Sequence, residues 1–416
     1  MIIKPTGTID FFPKDTQKLQ YIENTAKRVA AKFGFGEIRF PTFEFTELFA
    51  RGVGSTTDVV QKEMYTFTDR DGESITLRPE GTAGVARAIV ENGVYGDAMP
   101  LKYYYIANFF RHEKKQKGRY REFSQFGVEM YGSTSAVADA SVIALADTII
   151  KELKVPNVEL KINSIGCKCC RPNFHKALKE YFGDKKDQLC DTCKSRLDTN
   201  PMRILDCKSE ICSKIAEDAP KTLDYLCPEC AEHFDMLKNS LEAMGIDYSV
   251  DTRIVRGLDY YSRSVFEFVC SDETMGSQST ICGGGRYDGL MDEISAGEVQ
   301  LPACGFGMGI TRMLPAVPMP EFDNGPVLYI ASMGKSAQIY AGKVATALRN
   351  AGLYAEYDLV GRSLKAQMKY ANKIFAKNVL IIGDNEIETG KAQLRNMQGG
   401  EQVEIALDEV VDYFRK

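Results

Sequence analysis

The sequence predicts an α+β protein: an antiparallel, strand-rich region flanked by helices, a Cys-rich and mostly helical insertion, and a small C-terminal α/β domain. Three observations carry this. Two long strand-like runs, 101–111 and 121–131, flank a basic tip, Lys114-Lys115-Gln116-Lys117-Gly118, as in a hairpin. Nine of the twelve cysteines fall between Cys167 and Cys230. Beyond a Pro-rich run (Pro315, Pro318, Pro320, Pro326), short apolar strands alternate with helices, the pattern of a mainly parallel sheet.

Each element rests on its own pattern. Leu19, Ile22, Ala26, Val29 and Phe33 follow the helical period and predict a helix over 16–33. An extended segment around Pro41, a short strand over 74–77 and a helix over 82–91 lead into the hairpin. A helix over 136–153 and a strand over 158–162 follow it. After the Cys-rich stretch, 261–270 and 279–283 read as strands, and Gly305-Phe306-Gly307-Met308-Gly309 opens into a helix. The last domain shows strands at 327–332, 353–357 and 379–382, with helices at 336–350 and 363–375 between them. The expected divisions are 1–165, 166–245 (inserted), 246–318 and 319–416.

A length of 416 residues accommodates two to four domains at ~100–200 residues each. With 44% hydrophobic and 26% charged residues, disorder, collagen and coiled coil are excluded as descriptions of the whole chain. No apolar run approaches the ~18–20 residues of a membrane-spanning helix. The N-terminal segment lacks a signal-peptide core, so a soluble, cytoplasmic protein is the expectation. A net charge of −5 confines any polyanion binding to local patches.

Side chains alternate faces along a strand, so Arg111 and Glu113 share one face of the outgoing run. Arg121, Phe123, Gln125 and Glu129 share one face of the return run, with Gly127 between them leaving room for something to lie against the sheet. A solvated antiparallel face is the plainer explanation of polar alternation. In Leu77-Arg78-Pro79-Glu80-Gly81-Thr82 a carboxylate ends a strand just before a helix, where capping is the plainer role. Arg256-Gly257-Leu258-Asp259-Tyr260-Tyr261 and Gly283-Gly284-Gly285-Arg286-Tyr287-Asp288-Gly289 are each weak alone, since such segments are commonly turns. There is no P-loop, no G-x-G-x-x-G and no H-E-x-x-H, and three histidines cannot build a histidine-rich metal site. Arginines and carboxylates without an obvious nucleophile suit stabilisation of a phosphoryl centre better than covalent catalysis.

Together these residues resemble the histidyl-tRNA synthetases of bacteria, a family of class II aminoacyl-tRNA synthetases, nearly end to end. The segments 256–261 and 283–290 match the two histidine-specific signatures, and Phe110 to Glu129 resembles the second class II motif. Phe40-Pro41-Thr42-Phe43-Glu44 resembles the first motif, which in the family contributes to a homodimer interface, and 305–312 the third. The resemblance implies a six- to seven-stranded antiparallel catalytic sheet, an insertion and an anticodon-binding domain. It also implies ATP-dependent ligation of L-histidine to tRNA(His) through histidyl-adenylate, with ATP entering together with Mg2+. Arg111 and Arg256 would hold the α-phosphate as the catalytic pair. Glu113 and Phe123 would bind adenine, and Arg312 would lie against ATP. Glu80, Thr82 and Gln125 would take the histidine amino group, Arg256 its carboxylate, and Glu129 and Tyr261 its imidazole, with Tyr260 and Tyr287 shaping the pocket. Gln116, Arg119 and Arg121 would meet the acceptor stem. Two departures stand out: Thr311 replaces the family's usual acidic residue before Arg312, and Lys114-Lys115 replaces Arg-Pro.

On the helix after Gly361, Arg362, Lys365, Lys369, Lys373 and Lys377 form one basic stripe. Such stripes are commonly solvated faces; in a domain expected to face RNA, Arg362, Lys365 and Lys369 become tRNA contacts. Cys167/Cys170, Cys190/Cys193 and Cys227/Cys230 are C-x₂-C pairs, and Cys207/Cys212 is a wider fourth. Two pairs complete a Cys₄ zinc site, so the eight cysteines suit two structural zinc ions, or one with leftover thiols, expected far from the chemistry. Spacing does not set which pairs combine, and ordinary reduced thiols are the plainer alternative. The competing functions are a catalytically silent, histidine-binding regulatory paralog and an RNA-binding module without catalysis.

Overall fold

The computed structural model describes residues 1–54, 57–113, 118–275, 279–320 and 324–415. They form two compact units, Met1–Met319 and Pro320–Lys416. In the first, the strands are β1 (Gly36–Glu37), β2 (Phe43–Phe45), β3 (Tyr65–Thr68), β4 (Ser74–Leu77), β5 (Leu101–Phe110), β6 (Glu122–Tyr131), β7 (Val158–Ser164), β8 (Ser249–Val250), β9 (Ser262–Cys270), β10 (Thr280–Arg286) and β11 (Ala303–Gly309). The large sheet runs β1-β5-β6-β11-β10-β9-β7-β8, and β2-β4-β3 form a small antiparallel sheet. The six inner strands of the large sheet pair antiparallel, while the two-residue edges β1 and β8 pair parallel to β5 and β7.

The period of two along β6 sorts the two faces of this sheet. Phe126, Val128 and Met130 join a core with Val142, Ile143, Leu145 and Ile149 of the helix Ala136–Glu152. The odd-numbered Phe123 and Tyr131 turn to the opposite face, into a second core shared with Tyr260, Tyr261 and Tyr287. The insertion contributes to that second core through Phe174, Leu178 and Phe182 of the helix Arg171–Gly183. Its last helix, Pro228–Ala243, packs Phe234, Leu237 and Leu241 into the first core.

The strand expected to end at Gly283 continues through Gly284 and Gly285, where a turn was the plainer reading, and the run at 305–309 is strand before the expected helix. Gly283 to Gly285 lie in β10, and Gly305 to Gly309 end β11 before a helix of only four residues, Ile310–Met313. Close packing explains the composition. A Cβ on Gly284 would fall on the Gly305 carbonyl, one on Gly285 on the Ser264 carbonyl, and one on Gly283 on the Arg256 guanidinium.

The second unit carries β12 (Leu328–Ser332), β13 (Ala355–Tyr357), β14 (Asn378–Ile382), β15 (Lys391–Asn396) and β16 (Gln402–Ala406) in the order β13-β12-β14-β15-β16. The first three are parallel, joined by the helices Lys335–Asn350 and Leu364–Lys373. The hairpin β15–β16 adds an antiparallel edge that the apolar pattern did not reveal, because only Ala392, Leu394 and Ile405 of it are buried.

Candidate active site

A cavity of 550 Å³ opens on the odd-numbered face of β6. Its walls come from the 77–82 segment, the hairpin, the 253–261 loop, β9, β10 and the short helix following β11. Eleven of the expected residues line it: Glu80, Thr82, Arg111, Glu113, Arg119, Phe123, Gln125, Arg256, Tyr260, Tyr261 and Arg312. Chain segments more than a hundred residues apart therefore deliver Arg111 and Arg256 to one space.

Arg111 follows the end of β5 rather than extending it. Its Nε donates to the Pro79 carbonyl at 2.8 Å, and its guanidinium lies 5.5 Å from the Phe123 ring centroid. Glu113 sits 3.9 Å from Arg111 and 3.2 Å from Arg119. Across the cavity Arg256 is ion-paired with Glu267 and stands over the Tyr261 ring. Burial opposes the charge on Arg256, and Glu267 together with Tyr261 and Tyr260 outweighs it, so its pKa rises. Glu267 also accepts from Thr280 Oγ1 at 2.9 Å. Sequence reading passed over Glu267, although a lone carboxylate in Val265-Phe266-Glu267-Phe268-Val269 is a signal that something cationic meets that strand.

At the other end the carboxylates lie deeper. Glu80 accepts from the Thr82 and Ala83 backbone N–H groups, each at 2.8 Å, so the capping role holds while the residue still lines the cavity. Burial raises its pKa. Glu129 and Tyr287 do not line the cavity; both are buried just behind its wall. Glu129 accepts from the Thr82 hydroxyl at 2.8 Å, the Tyr105 hydroxyl at 3.2 Å and the Tyr287 hydroxyl. Desolvation pushes its pKa up to about 8 against those hydrogen bonds. The room expected beside Gly127 is filled by the chain itself: Tyr105 stands directly across the hairpin, and its ring occupies the place of a Cβ. Glycine at 127 thus admits Tyr105 to Glu129.

The second histidine-type segment is anchored from behind. Arg286 is fully buried, pairs with Asp139 at 2.9 Å, and donates to the Ser133 and Ser135 carbonyls and to Asp288. His233 of the insertion reaches the same Asp139 at 2.6 Å. This fixes the end of β10, so that the next residue, Tyr287, meets Glu129.

Two of the other expected tRNA contacts pack against the protein's own residues. Arg121 lies off the cavity, its stem packed against Gly7. Gln116, with Lys114 and Lys115, lies outside the described residues. Arg362 is held by Asp358 at 2.7 Å and stacks 4.3 Å from the Tyr370 ring, whereas Lys365 and Lys369 are exposed.

A family model described as histidyl-tRNA synthetase matches residues 7–313, and one described as an anticodon binding domain matches 327–416. A histidine–tRNA ligase of Caldanaerobacter subterraneus subsp. tengcongensis is 51% identical over 98% of this chain and 97% of its own. One from Clostridium novyi is 51% identical over 97% and 96%. The crystal structure of apo S. aureus histidyl-tRNA synthetase superposes with a TM-score of 0.83 at 36% identity, covering 100% of both chains. The chain belongs to the histidyl-tRNA synthetase family.

Against the usual pattern of histidyl-tRNA synthetases, Thr311 has a structural role: its hydroxyl accepts the Ser124 N–H at 2.9 Å, tying the short helix to β6. Arg312 is aimed instead by the Thr280 carbonyl, 3.0 Å from its guanidinium. The eight paired cysteines converge as two groups, Cys167/Cys170/Cys227/Cys230 and Cys190/Cys193/Cys207/Cys212, the sulfurs of each within 4.8 Å of one another. This resolves the pairing that spacing left open. Four sulfurs about 2.3 Å from one tetrahedral ion stand about 3.8 Å apart. Cys167 lies 3.7 Å from Cys170 and 3.9 Å from Cys227, and Cys190 lies 3.9 Å from Cys207. Backbone N–H groups point at the sulfurs of Cys167, Cys170 and Cys212. Burial opposes ionisation of Cys167, but the Cys170 and Cys169 N–H groups and neighbouring thiols lower its pKa to about 6. The donor set therefore fits a thiophilic ion such as zinc. The second group is not far from the chemistry as expected: Cys207 itself lines the active-site cavity. No helix among the described residues is long and apolar enough to cross a membrane.

Proposed function

We propose that this chain ligates histidine to tRNA(His) in two steps, in the cytoplasm. A histidine carboxylate oxygen attacks the α-phosphorus of ATP, the bond to the β-phosphate oxygen breaks, and pyrophosphate leaves. The 3′-terminal ribose hydroxyl of the tRNA then attacks the histidyl carbonyl, releasing AMP. The observation that carries this reading is the convergence of Arg111 and Arg256 on one cavity beside Phe123 and Glu113. Two guanidinium groups counter the charge that builds on the α-phosphoryl oxygens. Phe123 offers a stacking face for adenine and Glu113 an acceptor for its amino group. Glu80, Thr82 and Gln125 hold the histidine amino group, with Tyr260 closing over it. Glu129 and Tyr261 read the imidazole, Glu129 taking the ring N–H as the Thr82 hydroxyl turns aside. The curated relatives are ligases, and the silent-paralog alternative gains no support from them.

Histidine-dependent ATP–pyrophosphate exchange and tRNA charging test the proposal together. Lys365→Glu with Lys369→Glu is expected to leave exchange intact and to lower charging by about tenfold or more, since each lost phosphate contact weakens RNA binding. Equal loss of both activities counts against an RNA face on that helix, and absence of exchange in the unaltered chain counts against the enzyme.

The two cysteine groups bind one zinc ion each. Elemental analysis of protein purified without chelator is expected to find about two equivalents per chain; less than about half an equivalent rejects zinc. Phe43, Phe45 and Phe67 of the small sheet are 57%, 59% and 48% exposed, a density of aromatic surface that a second copy would cover. A homodimer is therefore expected in solution, and sedimentation at the 46.4 kDa monomer mass would reject it.

A further inference from the structure

The loop Leu205-Asp206-Cys207-Lys208 of the insertion forms part of the active-site wall. Two of its residues are fixed. Cys207 belongs to the second cysteine group, 3.9 Å from Cys190. Asp206 is held by Arg203 at 3.4 Å and Arg196 at 3.8 Å, and Arg196 is tied in turn to Asp58 at 2.7 Å. Lys208, the next residue, is exposed into the cavity.

The charges that face Lys208 are Arg119, Arg312, Asp206 and Glu267. Both carboxylates are already committed, Asp206 to Arg203 and Arg196, and Glu267 to Arg256. Among the described residues Lys208 has no ion pair. Arg312 likewise has no carboxylate within ion-pair distance among them; it donates to the Thr280 carbonyl, and burial together with Arg119 and Arg111 works against its charge while Glu113 favours it. Three cations from three separate segments, the hairpin, the helix after β11 and the insertion, thus share one part of the cavity, where Arg119 is paired with Glu113 and Lys208 and Arg312 have no carboxylate partner among the described residues. Such an arrangement is unfavourable empty and favourable around a multiply charged anion.

We propose that Lys208 binds the β,γ-phosphate end of ATP, and the pyrophosphate product, alongside Arg119 and Arg312. The inference rests on the reading of this cavity as an ATP site. It makes the insertion a part of the catalytic pocket. The cysteine group beside Lys208 then serves that pocket directly, because it holds the loop rigid and presents a flexible lysine stem from a fixed backbone.

Calorimetry on the full chain with Mg2+ and, separately, ATP, AMP and inorganic pyrophosphate tests this. For Lys208→Ala the Kd for ATP and for pyrophosphate is expected to rise about tenfold, the worth of one charge-assisted phosphate contact, with AMP unchanged. Lys208→Arg restores most of the loss, because a cation of similar reach remains. The residue is exposed, so the fold is not at stake. Unchanged ATP binding, or equal weakening of ATP and AMP, overturns the proposal. Impaired tRNA charging with intact ATP and pyrophosphate binding also overturns it, placing Lys208 on the RNA. If the unaltered chain fails to bind ATP at all, the reading of the cavity fails instead, so the two failures are distinguishable.

Discussion

Replacing Arg256 with glutamine is expected to lower histidine-dependent ATP–pyrophosphate exchange by about 10²–10³-fold, the typical cost of one donor aimed at developing charge. The loss should fall on kcat more than on the KM for ATP, since the guanidinium acts where charge builds in the transition state. Glu267 sets the resting position of Arg256. In the unliganded cavity it holds Arg256, and a Cβ at Gly283 would fall on the same guanidinium, so the side chain has one narrow place to lie. The pair is partly buried, and ATP must draw the guanidinium from Glu267 toward its own phosphate. Glu267→Gln, which frees the guanidinium, is accordingly expected to tighten ATP binding while leaving Thr280 a hydrogen-bond partner. Steady-state kinetics of the two variants decide the matter. If Arg256→Gln changes KM alone, or if both variants lose activity through unfolding seen in thermal melts, Arg256 is a structural partner of Glu267 and no more.

How far the sequence alone reached can be judged from particular residues. Period-two alternation in 121–131 correctly separated the core side of β6, Phe126 and Val128, from the side carrying Phe123, Gln125 and Glu129. The helix over 82–91 matched because its buried Val85, Ala86 and Ile89 keep the helical period. What failed is what depends on contacts between distant segments. Gly283 to Gly285 look like a turn because glycine carries no strand propensity, yet they are required by Arg256 on one side and by neighbouring backbone on the other. Gly127 signalled a vacancy correctly, but only the hairpin register reveals that Tyr105 fills it. Cysteine spacing identified the pairs that converge and could not say that the first pair closes with the last, because that depends on how the insertion's helices fold back. Glu267 was legible only as a carboxylate out of place in an apolar strand, and Lys208 was invisible, because each acquires its meaning from partners contributed by other strands and loops.

Glu129→Gln is expected to move stability and function in opposite directions. In the unfolded chain this carboxyl ionises near its ordinary 4.5, in the folded chain at about 8. Between those values the native state holds a proton that the unfolded state has already released, so the group subtracts stability progressively as pH rises from 4.5 to 8 and adds no further loss above it. Glutamine, nearly isosteric and never charged, removes that term. The gain in unfolding free energy over the unaltered chain should therefore be small at pH 5 and larger at pH 8, by an amount on the order of a few kcal/mol. Three hydroxyls, from Thr82, Tyr105 and Tyr287, remain to bond the amide, so no polar group is stranded. Function should suffer for the same reason that stability gains. Once ionised, at and above about pH 8, the carboxyl at 129 offers an imidazole N–H two acceptor oxygens, whereas glutamine offers one already shared by hydroxyls, and a buried donor left short of an acceptor costs about 1–3 kcal/mol. The KM for histidine should then rise by about 10–100-fold with the KM for ATP little changed. Urea unfolding at the two pH values and exchange kinetics at varied histidine measure both halves. A stability difference that does not vary with pH contradicts the protonated carboxyl, and an unchanged KM for histidine contradicts its role in reading the ring.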